Sequence, residues 1–363
     1  MNGSVYIHIP FCKSKCKYCS FYSIPQVDLV DVYVSALLKE INYYYNKEAL
    51  KTLYFGGGTP SLLSTETISK ILSNFNISPN TEVTFEINPD DANSNYLKEL
   101  FSLGINRLSF GAQSFDDKIL KYIGRRHSSK DILKAIENSR KSGFDNISLD
   151  LIYGLPFQTM DILQNDLEVA ISTEIKHVST YGLKIESPSY FYKNPPESLP
   201  DDDLQADMYL GVNIFLENIG FKRYEISNFA KKGFESKHNL NYWNNSEYYG
   251  FGASAHGYLD GIRYSNSNEI KDYIANPLNR KTEHMVTKQE QLEEEIFLGL
   301  RREIGINIKE INQKFNIDFD TKYSEILKKY IPKYLVPTEN GYKFTLCGVL
   351  LSNNILADFI DVW

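Results

Sequence analysis

The 363-residue chain is poor in cysteine, with four, and holds only two tryptophans, four methionines and six histidines. Four cysteines cannot staple a chain this long, so a secreted disulfide scaffold is excluded. No apolar run approaches the roughly 18 residues a membrane helix needs, which excludes an integral membrane protein. Positive charge is not in excess either. Lys and Arg total 39 against 46 Asp and Glu, a net charge of -7, and a nucleic-acid backbone is a poor partner for such a chain. Met1-Asn2-Gly3-Ser4 has neither the basic nor the apolar segment of a secretory leader, so a cytoplasmic protein is expected. What is present is ordinary globular material, 42% hydrophobic and 23% charged. It suffices for one large domain and a smaller one.

From residue 4 to residue 181 one rhythm repeats: a short apolar strand, a loop, an amphipathic helix. Strands are expected at residues 5–9, 52–55, 83–87, 107–110, 147–151 and 178–181, each mostly apolar as if buried on both faces. Between them Val30, Val34, Leu37, Leu38 and Ile41 share one helical face, and Ser128 with Asp131 reads as a capping pair. Alternating βα units imply a parallel sheet with right-handed crossovers. Six units in under 190 residues suit a partial (β/α)6 TIM-like barrel; a doubly wound sheet is the alternative. Domain limits are placed at 1–185 for this barrel, 186–286 for a linker and barrel-completing region, and 287–363 for a small winged-helix-like α+β domain. Pro188, Pro195, Pro196 and Pro200 mark a long surface connection before a helix at about 203–218. In the last domain strands at 335–346 surround the turn Asn340-Gly341. Its 10 Lys and Arg against 12 Asp and Glu favour a packing or lid role over DNA binding.

The chemistry starts with clustering. Cys12, Cys16 and Cys19 form a C-x3-C-x2-C triplet in the loop after the first strand, while Cys347 is remote. Thiolates are soft ligands suited to zinc or iron-sulfur clusters. Three cysteines on a four-iron cube leave one iron open for a small molecule. Lys13, Lys15 and Lys17 interleave the cysteines and favour their deprotonation. A structural zinc site with His8 or a distant fourth ligand is the competing reading, although such sites usually show two knuckles and here there is one. Gly56-Gly57-Gly58-Thr59-Pro60 follows the second strand and lets backbone approach a ligand. Glu86, Gln113 and Asp150 lie at or near the ends of the third, fourth and fifth strands. The C-terminal rim of such a sheet is where ligands bind.

With these motifs the chain resembles the radical S-adenosylmethionine (SAM) proteins, and within them the HemW haem chaperones, relatives of the oxygen-independent coproporphyrinogen III dehydrogenases. The resemblance runs through Tyr6-Ile7-His8-Ile9-Pro10-Phe11-Cys12, the glycine loop and Asn106-Arg107-Leu108-Ser109. It continues through Gly111-Ala112-Gln113-Ser114-Phe115, Gly124-Arg125 and Asp150-Leu151-Ile152-Tyr153-Gly154-Leu155-Pro156. Tyr224-Glu225-Ile226-Ser227-Asn228-Phe229-Ala230 and His238-Asn239-Leu240-Asn241-Tyr242-Trp243 are the blocks most specific to the HemW group. The resemblance implies a [4Fe-4S] cluster on Cys12, Cys16 and Cys19. It implies SAM contacts from Tyr6, Tyr18, Gly57, Gly58, Thr59, Glu86, Gln113, Arg125 and Asp150.

The same resemblance implies haem binding and delivery to an acceptor haemoprotein, with an electron donor for the cluster, and transient contact with membrane-bound acceptors is compatible with it. His238 and His256 are the candidate haem ligands; Tyr242 and Trp243 read as core aromatics. The alternative function is coproporphyrinogen III dehydrogenation by oxidative decarboxylation, so the status as an enzyme stays open. Two departures favour the chaperone. Ser20 and Phe21 follow Cys19 where the dehydrogenases carry a further cysteine, and Cys12 lies near the start where they carry a long extension.

Overall fold

The computed structural model describes residues 3–360. Six parallel strands follow one another across the sheet: β1 Gly3–Ile9, β2 Leu50–Gly57, β3 Glu82–Ile87, β4 Arg107–Gln113, β5 Asn146–Tyr153 and β6 His177–Gly182. Helices cross over between them, including Val30–Tyr44, Thr65–Leu72, Ser94–Ser102, Ser129–Lys141 and Met160–Ser172. Local chemistry fixes their starts. Ser64, Asn93 and Thr159 each accept a backbone N–H in the first turn, and Ser128 with Asp131 closes the expected capping box. This is the expected α/β barrel, open on one side.

The edges are completed from further along the chain. β7 (Lys222–Arg223) and β8 (Asn228–Ala230) run antiparallel beyond β6, while β9 (Tyr249–Phe251) pairs parallel with β1. A second sheet, β10 (His256–Leu259), β11 (Ile262–Asn266) and β12 (Arg280–Met285), packs outside. The C-terminal residues build a separate core around β13 (Ile306–Asn307), β14 (Leu335–Pro337) and β15 (Gly341–Phe344), with Leu292, Ile296, Phe319, Tyr323, Leu335 and Phe359 buried together. An ion-paired cluster of Arg223, Glu303 and Lys343 fastens this unit to the barrel, beside the bond from Glu303 N to Tyr224 O at 3.1 Å.

The strands are not apolar on both faces as the sequence had suggested. Leu53, Phe55, Phe85, Leu108, Phe110, Leu149, Leu151 and Val178 are fully buried. The alternate positions, Tyr54, Glu86, Arg107, Ser109, Gln113, Asp150, Ser179 and Tyr181, line an interior cavity instead. Period-2 alternation is the mark of a strand with two unlike faces. The barrel is therefore polar inside, where barrels of this kind are usually filled by branched aliphatics. The expected surface connection after β6 also differs: the short helix Tyr190–Lys193 buries Phe191, whose N–H reaches Lys17 O at 2.9 Å. It props the cysteine loop from below. Among the described residues no helix is long and apolar enough to cross a membrane.

One buried carboxylate holds the β9 edge. Glu40, on the inner face of helix Val30–Tyr44, accepts from Gly252 N at 2.9 Å, Asn266 Nδ2 at 2.6 Å and Tyr273 Oη at 2.5 Å. Burial lifts its pKa from 4.5 to about 7, against the lowering effect of those three donors. An acid raised by folding holds its proton more tightly in the folded state, so its contribution to stability falls as pH rises from about 4.5 to about 7 and is flat above that window. Glu40→Ala leaves three donors buried and unpaired and should cost about 3–5 kcal/mol. Urea midpoints at pH 5 and pH 8 should both drop, and the Glu40 share of the pH slope should vanish.

Candidate cofactor site

The three clustered cysteines sit where β1 ends. Cys12 N donates to Ile24 O at 3.0 Å and Ile24 N to Pro10 O at 2.8 Å, which closes the loop at its base. Lys17 N donates to Ile123 O at 2.9 Å, tying the middle of the loop to the turn before Gly124-Arg125. All three thiols are free and part-exposed, and all three line the barrel cavity of about 1190 Å³. Among the described residues no three His, Cys, Asp or Glu groups converge on a single-ion position.

Of the three lysines, Lys15 lowers the pKa of Cys19 as the sequence had suggested, though burial is the larger influence. Lys13 pairs with Asp91 at 2.8 Å, Lys15 donates to Phe21 O at 3.1 Å, and Lys17 lies over the Tyr122 ring. The cation in contact with a sulfur is Arg125. Its Nη1 donates to Cys16 Sγ at 3.4 Å, and its Nη2 reaches Asn88 Oδ1 at 2.7 Å and Gly111 O at 2.9 Å. Thr59 Oγ1 donates to Cys12 Sγ at 3.4 Å. Donors aimed at sulfur stabilise thiolate and orient it for a metal. Burial raises the pKa of Cys19, so this thiol needs a metal partner to ionise readily.

The glycine loop packs directly on the cysteine loop. A Cβ on Gly58 would stand 2.7 Å from Phe11 O and 2.9 Å from Ile9 O, and Gly57 adopts φ +110° with His8 where a Cβ would go. Only glycine permits this approach. Gly57 N donates to Glu86 Oε2 at 3.1 Å, and Tyr54 Oη donates to Glu86 Oε1 at 2.7 Å. Burial is the main cause that lifts Glu86 to about 7. Asp150 accepts from Ser109 Oγ at 3.1 Å, and burial raises its pKa as well. Gln113 ends β4 at φ +63° beyond a bulge at Ala112, and its amide oxygen is buried without a partner. A strained, orphaned amide facing a cavity is a ligand contact in waiting.

The cavity wall thus brings together Cys12, Cys16, Cys19, Tyr18, Gly57, Gly58, Thr59, Glu86, Gln113, Arg125 and Asp150. Tyr6 is not on that wall. Its hydroxyl bonds His8 Nδ1 at 2.9 Å and its ring stacks on Tyr54. The expectation for His238 is corrected more firmly. It is buried, with Nδ1 bonded to Thr52 Oγ1 and Nε2 to Tyr242 Oη, both at 2.8 Å, and burial lowers its pKa to about 3. Neither nitrogen is free for an iron. His256 is exposed on β10, away from the cavity wall.

Two family models match this chain: the radical SAM superfamily over residues 6–170 and the HemN C-terminal domain over residues 286–351. Heme chaperone HemW of Bacillus subtilis is 41% identical, across 98% of this chain and 99% of that protein. The chain belongs to the HemW family. Heme chaperone HemW of Lactococcus lactis is 38% identical over 99% and 97% of the two chains, and that of Escherichia coli 37% over 70% and 69%. The solved coproporphyrinogen III oxidase HemN of Escherichia coli superposes with a TM-score of 0.87 at 24% identity, across 99% of this chain and 90% of that one. At that identity the match bears on the fold alone. Radical SAM membership implies a [4Fe-4S] cluster and SAM for this HemW-family chain.

One residue escaped selection from the sequence although its motif was visible. Arg107 is 2% exposed, lines the cavity, and its Nε has no partner. It lowers the pKa of Glu86, Asp150, His177 and His238 alike, though in each burial is the larger influence. The signal was its place in the inward phase of β4, with Ser109 and Gln113. Arg107→Met should raise the Glu86 titration further, because the guanidinium lowers it. Carboxyl-carbon NMR of the folded protein measures this; an unmoved midpoint would show that the guanidinium does not govern the pair.

Proposed function

We propose that this HemW-family chain is a haem chaperone. It would bind haem, deliver it to an acceptor haemoprotein, and carry a [4Fe-4S] cluster with exchangeable SAM. The observation that carries the reading is the likeness along nearly the whole chain to proteins named heme chaperone HemW, at 41% and 38% identity. The cavity supports it, since at about 1190 Å³ it can take more than one small ligand. Residues 1–185 would form the radical SAM barrel, 186–286 its completion and 287–363 a winged-helix-like cover.

The chemistry of these residues suits a cluster and SAM. Cys12, Cys16 and Cys19 would hold three irons, with Arg125 and Thr59 donating to two of the sulfurs. Glu86 and Asp150, kept from full repulsion by Arg107, would accept from the amine or ribose hydroxyls of SAM. Gly57, Gly58, Thr59, Tyr18 and Gln113 would complete that contact. Bound together, cluster and SAM supply one-electron chemistry at the sulfonium. The chain itself orients them and keeps water from the barrel floor.

Two experiments test the reading. Anaerobically reconstituted protein should bind hemin and pass it to an apo-acceptor. With SAM, reductant and coproporphyrinogen III it should yield no protoporphyrinogen, and formation of that product would replace this reading with the dehydrogenase. Cys16→Ser should lose the cluster, read as a fall in iron and sulfide content to background; a full complement would overturn the ligand set.

A further inference from the structure

Two of the three clustered sulfurs receive a side-chain hydrogen bond, Cys12 from Thr59 and Cys16 from Arg125. The two donors come from different loops, one following β2 and the other following the helix Asp117–Tyr122. One side chain joins them. Asn88, the residue after β3, accepts from Arg125 Nη2 at 2.7 Å through its Oδ1 and donates to Thr59 Oγ1 at 3.3 Å through its Nδ2. The result is an arc of five groups: Cys12 Sγ, Thr59, Asn88, Arg125 and Cys16 Sγ. The third sulfur lies outside it, with the backbone of Phe21 as its hydrogen-bond partner.

Chemistry fixes the direction of every bond in the arc. A guanidinium has donors only, so the oxygen of the Asn88 amide must face Arg125. The amide nitrogen is then left for Thr59, whose oxygen accepts it and whose single hydrogen points to Cys12 Sγ at 3.4 Å. Arg125 keeps Nη1 for Cys16 Sγ, likewise at 3.4 Å. One amide thus aims two donors at two sulfurs.

The amide is itself held in place. Pro89 follows it and favours an extended Asn88, found at φ -78° and ψ 142°, and Asp91 N donates to Asn88 O at 3.0 Å. The next residues reach the same loops. Asp91 accepts from Lys13 at 2.8 Å and from Ser61 Oγ at 2.9 Å, and Asp90 accepts from Arg126 Nε at 3.1 Å. The turn Asn88-Pro89-Asp90-Asp91 therefore ties the cysteine loop, the glycine loop and the Gly124-Arg125 turn to the end of β3.

We propose that Asn88 is a positioning residue for the iron-sulfur cluster: by holding Thr59 and Arg125 it keeps a hydrogen bond on the sulfurs of Cys12 and Cys16 and so holds the reduction potential up. This rests on the cluster assigned to Cys12, Cys16 and Cys19. Reduction adds negative charge, and donors to the sulfurs stabilise that charge. Released from the amide, the hydroxyl and the guanidinium are free to turn toward the cavity, and the reduced state loses their support. No ligand to iron is removed.

The test is an EPR-monitored redox titration of the full chain, reconstituted anaerobically without SAM. Asn88→Ala should keep the wild-type iron and sulfide content and shift the midpoint to lower potential. At the wild-type midpoint its reduced-to-oxidised ratio should fall about tenfold, about 59 mV for one electron. Thr59→Val, which replaces only the hydroxyl by a methyl group, should lower the midpoint too, and Asn88→Ala in that background should then shift it less than it does alone. A merely structural Asn88 would lower the urea midpoint and leave the potential where it is. An unchanged potential in Asn88→Ala, or two shifts that add in full, overturns the inference and leaves the cluster assignment standing. If Asn88→Ala takes up no cluster, Asn88→Asp carries the measurement: its carboxylate still holds Arg125 but only accepts from Thr59, turning that hydroxyl away from Cys12. Adding Thr59→Val to Asn88→Asp should then leave the midpoint where it is, and a further drop overturns the inference. A wild type that binds no iron and sulfide overturns the cluster assignment itself.

Discussion

A guanidinium sealed inside the barrel is the constraint from which the rest follows. Arg107 cannot sit at 2% exposure among aliphatic side chains, because an isolated buried charge costs far more than a fold can supply. Its neighbours across the interior are therefore Glu86 and Asp150. Those carboxylates in turn need donors, and Tyr54, Ser109 and the N–H of Gly57 provide them. Gly57 belongs to the loop that Gly58 presses onto the Ile9 and Phe11 carbonyls, one residue from Cys12. A line of hydrogen bonds and close contacts thus runs from Glu86, within the field of that deep cation, to the first thiol.

The outline of the fold was legible in the sequence because its signals are local. Apolar runs at six regular intervals, the Ser128 cap and the helix near 203–218 depend on residues close in the chain, and all appear where expected. The cysteine triplet and the glycine loop were legible for the same reason. What escaped was the second face of the strands. Thr, Ser and Tyr at alternate positions read as tolerable in a buried strand, so the alternation Arg107, Ser109, Gly111, Gln113 passed as noise in an apolar segment. Of the lysines only Lys15 acts on a sulfur, because charge near a cysteine in sequence need not be near it in space; Lys13 and Lys17 find Asp91 and the Tyr122 ring, and Arg125, more than a hundred residues on, reaches Cys16. His238 was attractive as a rare residue in a distinctive block. In the fold its distinctiveness is architectural, a ring clamped between Thr52 and Tyr242 beneath Tyr54.

The wall of the barrel cavity is not uniform. Its deep end offers charge, hydroxyls and fixed backbone donors, which hold small polar groups in one orientation. The rest of its wall is mixed, with the exposed Leu350 and Leu351 beside Lys184, Glu186 and Lys333.

That wall is finished by polypeptide from the far end of the chain. Cys347, Leu350 and Leu351 are synthesised more than three hundred residues after Cys12. While the ribosome is still working through the last stretch, the barrel can already close its strands, yet the chamber above them has no far wall. A product truncated before residue 347 would be a barrel whose cavity lacks this part of its wall.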